Sequence, residues 1–296
     1  MLLNKVKNIP HKLKRELYRI PALNALKEQA YHKALEHHTQ FLPSIDLQRS
    51  LIVDALRKEG TCILPIENLE LSSTDAMLKK AFSLAENLCK ESSNTENCEV
   101  GSAKEDLREF PEILFWALEP KLLDLIENYI GLPILYQGFA MRRSIADGKY
   151  SGVRRWHIDW EDQRIIKIII YLNDVVPGGG PYEYIPRQMT SEAIKTLNYY
   201  NLGFLSDAEM SQAVPQKYWQ ACVASKGSVV ITDTSHVFHR AQPPTEQERF
   251  SITFCYTSTT PQVIWRSRKI SRKQWQLVDS SLNQRQRGCL TKRRYG

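Results

Sequence analysis

The stretch Trp156-His157-Ile158-Asp159-Trp160 decides how the fold and the site of this 296-residue chain are interpreted. In an extended chain successive side chains alternate between two faces, so His157 and Asp159 point the same way. An imidazole and a carboxylate that converge on one point supply two ligands of the 2-His-1-carboxylate triad, which holds non-haem Fe(II) and leaves coordination positions open. His-x-Asp also occurs by chance, as a solvated or hydrogen-bonded core pair, so a second histidine from another strand is required.

The third ligand is expected after the apolar strand 227–231, which leads to His236 and His239, three residues apart. In an extended chain these two histidines face opposite sides, so only one joins the triad easily. We favour His239 because Arg249 follows ten residues later, beyond a proline-containing turn that folds its strand back beside His239. A guanidinium there could hold the far carboxylate of a 2-oxoglutarate cosubstrate through two parallel hydrogen bonds. His236 is then interpreted as a structural or supporting residue, and Asp233 as a turn or strand-end residue.

Helical spacing dominates the sequence before residue 131, and short strands dominate after it. Apolar periodicity predicts a strand at 61–65, a loop at 90–106, and helices at 47–58 (N-cap Ser44 or Asp46), 72–89, 110–118 and 120–130. β-Branched and aromatic runs separated by turn signals predict strands at 133–143, 165–172, 182–185, 228–232 and 250–257. Helices followed by short strands predict an α+β, mainly β fold: an antiparallel sandwich or jelly roll with N-terminal helices at its flank.

The net charge of +7 is concentrated at the two ends of the chain. Residues 1–40 carry eight Lys/Arg and three Asp/Glu, and residues 262–296 carry ten Lys/Arg and only Asp279, so the centre is mildly acidic. We therefore predict a basic helical extension at 1–42 with a break at Pro21, a domain at 43–261 and a basic tail at 262–296. Helix-like sequence at 190–221 interrupts the strands and is predicted to form a lid over the site.

The charge distribution also bears on partners. An acidic centre argues against a nucleic-acid-binding core, whereas the basic arms could meet a membrane surface, an acidic partner or RNA. The N-terminal extension either packs on the main domain or lies on a membrane surface.

Cysteine usage and hydropathy predict a cytoplasmic protein with no transmembrane segment. The six cysteines are scattered, form no C-x-x-C pair and have no zinc-like spacing, which is typical of reduced thiols. The N-terminus lacks the apolar run of a signal peptide, and no stretch approaches the roughly 18 apolar residues of a membrane span.

Four pieces of the sequence, in order, resemble the phytanoyl-CoA dioxygenase family of Fe(II)/2-oxoglutarate-dependent oxygenases. They are Trp156-His157-x-Asp159, the strand 167–175, the segment 180–186, and His239 followed by Arg249. The resemblance covers about residues 46–258 and leaves both basic arms outside. It implies a double-stranded β-helix core (jelly roll, cupin-like) with iron at one mouth.

The resemblance also implies roles for particular residues. It implies that iron is bound by His157, Asp159 and His239, and that Arg249 binds the far carboxylate of 2-oxoglutarate. Tyr171 falls where the family often places an aromatic residue that lines the cosubstrate. By parity Lys167 shares the face of Tyr171, and a lysine that faces inward needs an anionic partner. That partner is 2-oxoglutarate or substrate, unless Lys167 lies at a solvated edge.

The sequence departs from the family pattern at two places. Residues 187–189, Arg-Gln-Met, stand where the family commonly has Gly-Ser-His, which puts the turn and the nearby substrate surface in doubt. Ala241 stands where a small hydroxyl residue often follows the distal histidine, so one hydrogen bond to the cosubstrate is in doubt. The retained Asp159 favours hydroxylation, since relatives that halogenate lack this carboxylate.

The function predicted on these grounds is an Fe(II)- and 2-oxoglutarate-dependent dioxygenase that uses O2 to hydroxylate a small organic or acyl-type substrate, with release of succinate and CO2. The alternatives are a non-catalytic cupin-like binding protein, or a partner- or RNA-binding protein that acts through its basic tail. Nearby arginines either bind an anionic group or form a solvated rim with Glu161 and Asp162; they are Arg142, Arg143, Arg154 and Arg155. The substrate and the oligomeric state are not defined by the sequence.

Overall fold

The structure, a computed structural model, describes residues 16–17, 20–91, 97–100, 110–200, 203–262 and 280–290. The α-helices of this part of the chain are α1 (Pro21–His38), α2 (Leu47–Glu59), α3 (Thr74–Glu91), α4 (Pro111–Ala117), α5 (Pro120–Ile130), α6 (Arg187–Thr196), α7 (Asp207–Ala213) and α8 (Gln284–Gly288). The strands are β1 (Thr61–Pro65), β2 (Asn97–Val100), β3 (Ile134–Ser144), β4 (Ile166–Tyr171), β5 (Tyr182–Tyr184), β6 (Gln220–Cys222), β7 (Ser228–Asp233), β8 (His239–Ala241) and β9 (Arg249–Ser258).

The helices begin and end where local sequence provides a cause. The Asp46 side chain accepts a backbone N–H of the first turn of α2 at 2.9 Å, and Gly60 ends that helix in the left-handed region. Gly131 ends α5 in the same way. Pro21, expected to break a helix, is instead the first residue of α1, where a missing N–H costs nothing. Most of residues 1–19 lie outside the described residues, and the helix predicted there stays a prediction.

Two antiparallel sheets carry the strands. The larger sheet has the order β1-β7-β4-β9-β3-β2, and the smaller has the order β6-β5-β8. Isolated bridges extend the smaller sheet beyond β8, because His157 pairs with His239 and Trp156 pairs in turn with Leu205. The predicted combination of helices and antiparallel strands is confirmed, and the described strands lie in two separate sheets.

The larger sheet has a different environment on each of its faces. On one face alternate residues of β4 and β9 pack against the helices in the main core; they include Ile166, Ile168, Ile170, Ile252 and Phe254. On the other face Tyr171 and Val230 belong to a second apolar cluster, which also includes Tyr182 and Cys222 of the smaller sheet. Since alternate residues of a strand share a face, Lys167 and Arg249 also point toward the smaller sheet.

Short strands account for most differences from the predicted elements. Strand β2 lies within residues 90–106, so the predicted loop is wrong at 97–100, where the chain pairs with β3. The predicted insertion at 190–221 contains most of α6, all of α7 and the first part of β6. The strand expected to continue to residue 239 ends at Asp233, and β8 begins separately at His239.

Part of the predicted basic tail packs on the main core. The side chains of Leu282, Cys289 and Leu290 are buried there, and the backbone N–H of Tyr136 donates to the Cys289 carbonyl at 2.8 Å. Residues 263–279 and 291–296 lie outside the described residues. In the described part of the chain, no helix has the length and apolar character that a membrane crossing requires.

Candidate metal centre

The backbone brings the two predicted histidine ligands together. His157 lies in the connection between β3 and β4, and His239 is the first residue of β8. His157 N donates to His239 O at 3.1 Å, and His239 N donates to His157 O at 3.0 Å. This reciprocal pair places the two imidazoles side by side, with ring centroids 4.3 Å apart. Asp159 is held next to them because its N–H donates to the Thr234 carbonyl at 2.9 Å.

The donor atoms of these three residues converge. One side-chain donor atom from each of His157, Asp159 and His239 lies within 4.8 Å of the others. The Asp159 Oδ1 atom is 3.9 Å from His157 Nε2, and Asp159 Oδ2 is 3.7 Å from His239 Nε2. This group could hold a metal ion.

The hydrogen bonds of the imidazoles suit that role. His157 Nδ1 lies 2.8 Å from the Arg155 carbonyl, and His239 Nδ1 lies 3.1 Å from the Val237 carbonyl. A carbonyl oxygen only accepts, so each Nδ1 carries the hydrogen and each Nε2 keeps a lone pair that faces Asp159. Burial lowers the pKa of both histidines, that of His239 to about 3. Neutral imidazoles fixed through Nδ1 are the form in which histidine binds metals.

Lys167 contacts the carboxylate of this group. Its Nζ lies 2.5 Å from Asp159 Oδ2, and the ammonium is mostly buried. Burial alone favours neutral Asp159, but the charge of Lys167 more than offsets it and holds the pKa of Asp159 well below its usual range. Burial likewise opposes the charge of Lys167, and Asp159 reverses this and raises the pKa of Lys167. The inward orientation predicted for Lys167 therefore comes with an anionic partner from the protein itself.

Arg249, at the start of β9, is a buried cation. Its guanidinium donates to the Gly180 carbonyl and, at 3.4 Å, to Ser144 Oγ. Its Nε has no hydrogen-bond partner, and no carboxylate of the described residues pairs with it. Burial lowers the pKa of Arg249. A buried guanidinium with an unsatisfied N–H is suited to an anionic ligand, because an unpaired buried charge is costly.

Tyr171 lies close to Arg249 but uses its hydroxyl otherwise. On the paired strand it is opposite Ser251, two residues from Arg249. The hydroxyl donates to the Cys222 carbonyl at 2.9 Å and accepts from Tyr182 N at 3.0 Å. Both bonds hold the smaller sheet against β4. A cosubstrate contact of Tyr171 is therefore limited to its ring.

The arginines near the site are held by the protein itself. Arg143 forms two hydrogen bonds with Glu248, at 2.8 and 2.9 Å. Arg154 pairs with Asp147 at 2.5 Å, and Arg155 donates to the Phe204 carbonyl at 2.9 Å. These contacts differ from the rim with Glu161 and Asp162 that the sequence suggested. Arg142, on β3, lies opposite Ser251 of β9. Its positive charge acts on both Arg249 and His157.

A partly buried hydrogen-bond network behind the histidines was not predicted. Asp207 Oδ1, at the start of α7, accepts from Trp156 Nε1 at 3.0 Å, from Tyr150 OH at 2.8 Å and from Arg240. Arg240 also donates to Glu183 at 2.6 Å and lies over the Trp156 ring at 4.6 Å. Trp156 and Arg240 are the sequence neighbours of His157 and His239. No local pattern indicates these contacts, because their partners are 33 to 57 residues apart.

His236 lies outside the triad. Its Nδ1 is 2.8 Å from Asp233 Oδ2, and its side chain is partly exposed. Asp233 is the last residue of β7, as the sequence suggested, and it also accepts from Tyr129 OH at 2.5 Å. Three aromatic residues near the site differ in exposure: Trp156 and Tyr182 are buried, whereas Tyr184 is partly exposed.

Comparisons with known proteins find similar folds at low identity. No protein-family profile matches the chain, and no curated protein matches it. HygX from Streptomyces hygroscopicus, crystallised with nickel and 2-oxoglutarate, is 13% identical, with 73% of this chain and 88% of that chain covered and a TM-score of 0.49. SnoK, a non-heme alpha-ketoglutarate-dependent carbocyclase from nogalamycin biosynthesis, is 15% identical over 73% and 87%, with a TM-score of 0.49.

A third structure, AviO1 from Streptomyces viridochromogenes Tue57, is 16% identical over 74% of this chain and 98% of that chain, with a TM-score of 0.47. These identities and TM-scores are too low to identify the chain. The function considered below depends on the geometry of the site itself.

Proposed function

We propose that this chain is a non-haem iron, 2-oxoglutarate-dependent dioxygenase that hydroxylates a small organic or acyl-type substrate and releases succinate and CO2. The observation that carries the proposal is the convergence of His157, Asp159 and His239, in which each Nε2 is left without a hydrogen and lies within 3.9 Å of an Asp159 oxygen. Two neutral imidazoles and one carboxylate are the donor set of non-haem Fe(II) oxygenases. The resemblance of these motifs to the phytanoyl-CoA dioxygenase family supports the same conclusion.

Each residue has a role in this proposal. His157, Asp159 and His239 hold the metal, and Arg249, whose Nε–H the protein leaves unsatisfied, anchors the far carboxylate of 2-oxoglutarate. The ring of Tyr171 lines the cosubstrate. Bound Fe(II), with 2-oxoglutarate and O2, supplies the oxidising power that a side chain lacks. The protein contributes orientation, a fixed histidine tautomer and exclusion of water.

We also propose that the two sheets are the halves of a double-stranded β-helix. The chain passes from β3 to the His157 strand, back to β4, on to β5 and β6, back to β7, then to β8 and finally to β9, so that it alternates between the two sheets. That course is typical of jelly rolls. In this proposal residues 43–261 form the oxygenase domain, and the extensions at 1–42 and 262–296 flank it.

The insertion at 190–221 is proposed to cover the site. Leu205 exchanges backbone hydrogen bonds with Trp156, at 2.8 and 3.1 Å. The Phe204 ring packs edge-on against His157 with centroids 5.1 Å apart, and it remains partly exposed. This segment therefore lies directly beside a proposed ligand, where a lid would exclude water from the reaction.

Metal binding and cosubstrate turnover test the proposal together. Fe(II) is added anaerobically, metal content is measured, and succinate release is then followed in air with metabolite fractions. We expect about one iron per chain and oxygen-dependent succinate. His157→Ala and His239→Ala should abolish both, whereas His236→Ala, a matched histidine outside the triad, should retain both. Full iron binding or turnover by His157→Ala would contradict the ligand assignment.

A non-catalytic binding protein is the second candidate, because Lys167 already neutralises the carboxylate of the centre. That function predicts metal and anion binding without succinate in any fraction. The RNA-binding alternative has less support, since Arg285, a basic residue of the tail, is paired with Asp124 and with Glu127, the latter at 2.8 Å.

A further inference from the structure

We propose that Lys167 sets the charge of the metal centre, so that the centre binds its metal less tightly and its anionic ligand more tightly than the three ligands alone would. This inference rests on the proposed function, because it assumes a divalent metal at His157, Asp159 and His239. It concerns a residue that coordinates nothing itself. Lys167 is thus proposed as a positioning residue that acts through Asp159 and through the field of its charge.

The location of Lys167 carries the first step. It lies in β4, opposite Thr232 on one neighbouring strand and Cys255 on the other. Its side chain is only 20% exposed, and within the described residues its ion-pair partner is Asp159, at 2.5 Å. Strands on both sides and a short charge-assisted bond restrict the ammonium to the neighbourhood of the metal position.

The second step concerns the orientation of the carboxylate. Lys167 binds Asp159 Oδ2, and this leaves Oδ1, 3.9 Å from His157 Nε2, as the oxygen free to face the metal position. A carboxylate held through one oxygen coordinates through the other. The remaining coordination positions then stay available for a bidentate ligand and for a further small molecule.

The third step is a count of charge. Two neutral imidazoles, one carboxylate and one ammonium sum to zero, whereas the three ligands without Lys167 sum to one negative charge. Apart from Glu161, which acts electrostatically on both Asp159 and Lys167, a divalent ion would therefore keep its full charge at this centre. Lys167 and the metal share a single carboxylate and repel each other at close range, and in a buried site this repulsion is enough to change an affinity by about tenfold or more. The same two cations both attract an anion that binds between them.

The inference predicts opposite changes in two affinities. In Lys167→Met, which keeps an unbranched chain but removes the charge, Co(II) should bind tighter by about tenfold or more. 2-Oxoglutarate should bind the Co(II)-loaded variant weaker by a similar factor. Lys167→Arg, which keeps the charge, should remain near wild type in both. A purely structural role for Lys167 would weaken both affinities together.

Both constants are measured on the full-length chain by calorimetry, first with Co(II) alone and then with 2-oxoglutarate added to the Co(II)-loaded protein. Visible Co(II) spectra report the coordination number as a second readout. Lys121→Met is the matched control, because this exposed lysine lies near Glu70, outside the described site, and should change neither constant. Circular dichroism and thermal unfolding verify that each variant is folded.

The outcomes separate this inference from the proposed function. Opposite shifts in the two constants support it even if no succinate is ever formed. Parallel loss of both affinities, or no change in either, overturns it and leaves the turnover assay untouched. Co(II) binding by Lys167→Met but not by wild type would support the repulsion between Lys167 and the metal. The same result would contradict the proposed function. An absence of Co(II) binding in both proteins would overturn both.

Discussion

Asp233 is a fully buried carboxylate whose charge is balanced by several donors. It accepts from Tyr129 OH, from Ser235 Oγ at 2.6 Å and from His236 at 2.8 Å. Burial would raise its pKa, but His236 and these hydroxyl groups more than offset the effect and lower it to about 2. A depressed pKa means that ionised Asp233 stabilises the fold above its unfolded value of about 4, and that this contribution is lost as the pH falls through about 2.

Asp233→Asn should therefore destabilise the protein at neutral pH. It should also make the free energy of unfolding less dependent on pH in the acid range. We expect a loss of about 2 kcal/mol in the free energy of unfolding at pH 7, since one pKa unit corresponds to about 1.4 kcal/mol. The difference from wild type should shrink between pH 4 and pH 2, as urea titrations at several pH values would measure. Asp54→Asn, at an exposed position, serves as the control. A difference that stays constant with pH would be inconsistent with the assigned charge.

Residue parity predicted part of the site. His157 and Asp159, two residues apart, do converge, and the structure brings His239 rather than His236 to them. The parity argument for the two histidines assumed one continuous strand, whereas a turn at 234–236 separates β7 from β8. The choice depended instead on the position of Arg249. Lys167 and Asp159 are only eight residues apart, but their pairing depends on how the connection between them folds back over β4, and side-chain periodicity does not indicate the course of a connection.

At the scale of elements, the turn between β4 and β5 packs closely against the connection between β8 and β9. Gly180 has a φ of +67°, and a Cβ there would lie 2.5 Å from the Gln242 carbonyl and 2.6 Å from Pro244 Cγ. The Gly180 carbonyl also accepts from Arg249. A side chain at this position would push the turn away from the connection between β8 and β9, and it would move the acceptor that orients the guanidinium.

Gly180→Ala should destabilise the fold by clearly more than backbone strain alone. Gly152→Ala is the matched control, because Gly152 also has a positive φ, +53°, but an added Cβ meets nothing within 4 Å. We expect about 1 kcal/mol for the control and about 3 kcal/mol for Gly180→Ala, measured by urea unfolding. Equal losses of stability in the two variants would show that Gln242 and Pro244 move aside at no energetic cost.

Elements with strong local signals were predicted well, and elements that depend on distant partners were not. The strand 61–65 and the helix from Leu47 have β-branched or capping residues within their own sequence. Strands β6 and β8, three residues each, are strands only because they pair with β5. Local propensity cannot indicate such a strand, since its hydrogen-bond partners lie tens of residues away.

At the scale of the whole molecule, the segment 280–290 closes the main core. Leu290 is 6% exposed. It belongs to the main core, which the helices form with the face of the larger sheet that packs against them. Net charge drew attention to the basic residues of this region, yet its three buried apolar positions are spread through polar sequence and form no periodic pattern. Charge was therefore a poor guide to the packing of this segment.

Leu290→Ala should lower the free energy of unfolding by about 2–3 kcal/mol, because it opens a cavity in the core. Gln284→Ala, an exposed position in the same segment, should change it by less than about 0.5 kcal/mol. Urea unfolding of both variants provides the comparison. Equal stability of Leu290→Ala and wild type would mean that the segment does not contribute to the core.

The reciprocal main-chain hydrogen bonds between His157 and His239 make the spacing of the two imidazoles a property of the polypeptide rather than of any ion. In the metal centre proposed above, a chelator should then remove the ion without unfolding the site, and deuterium should replace these two amide protons at the same slow rate before and after treatment. Such a centre can be refilled after folding is complete. Its loading would follow the supply of iron and not the rate of protein synthesis.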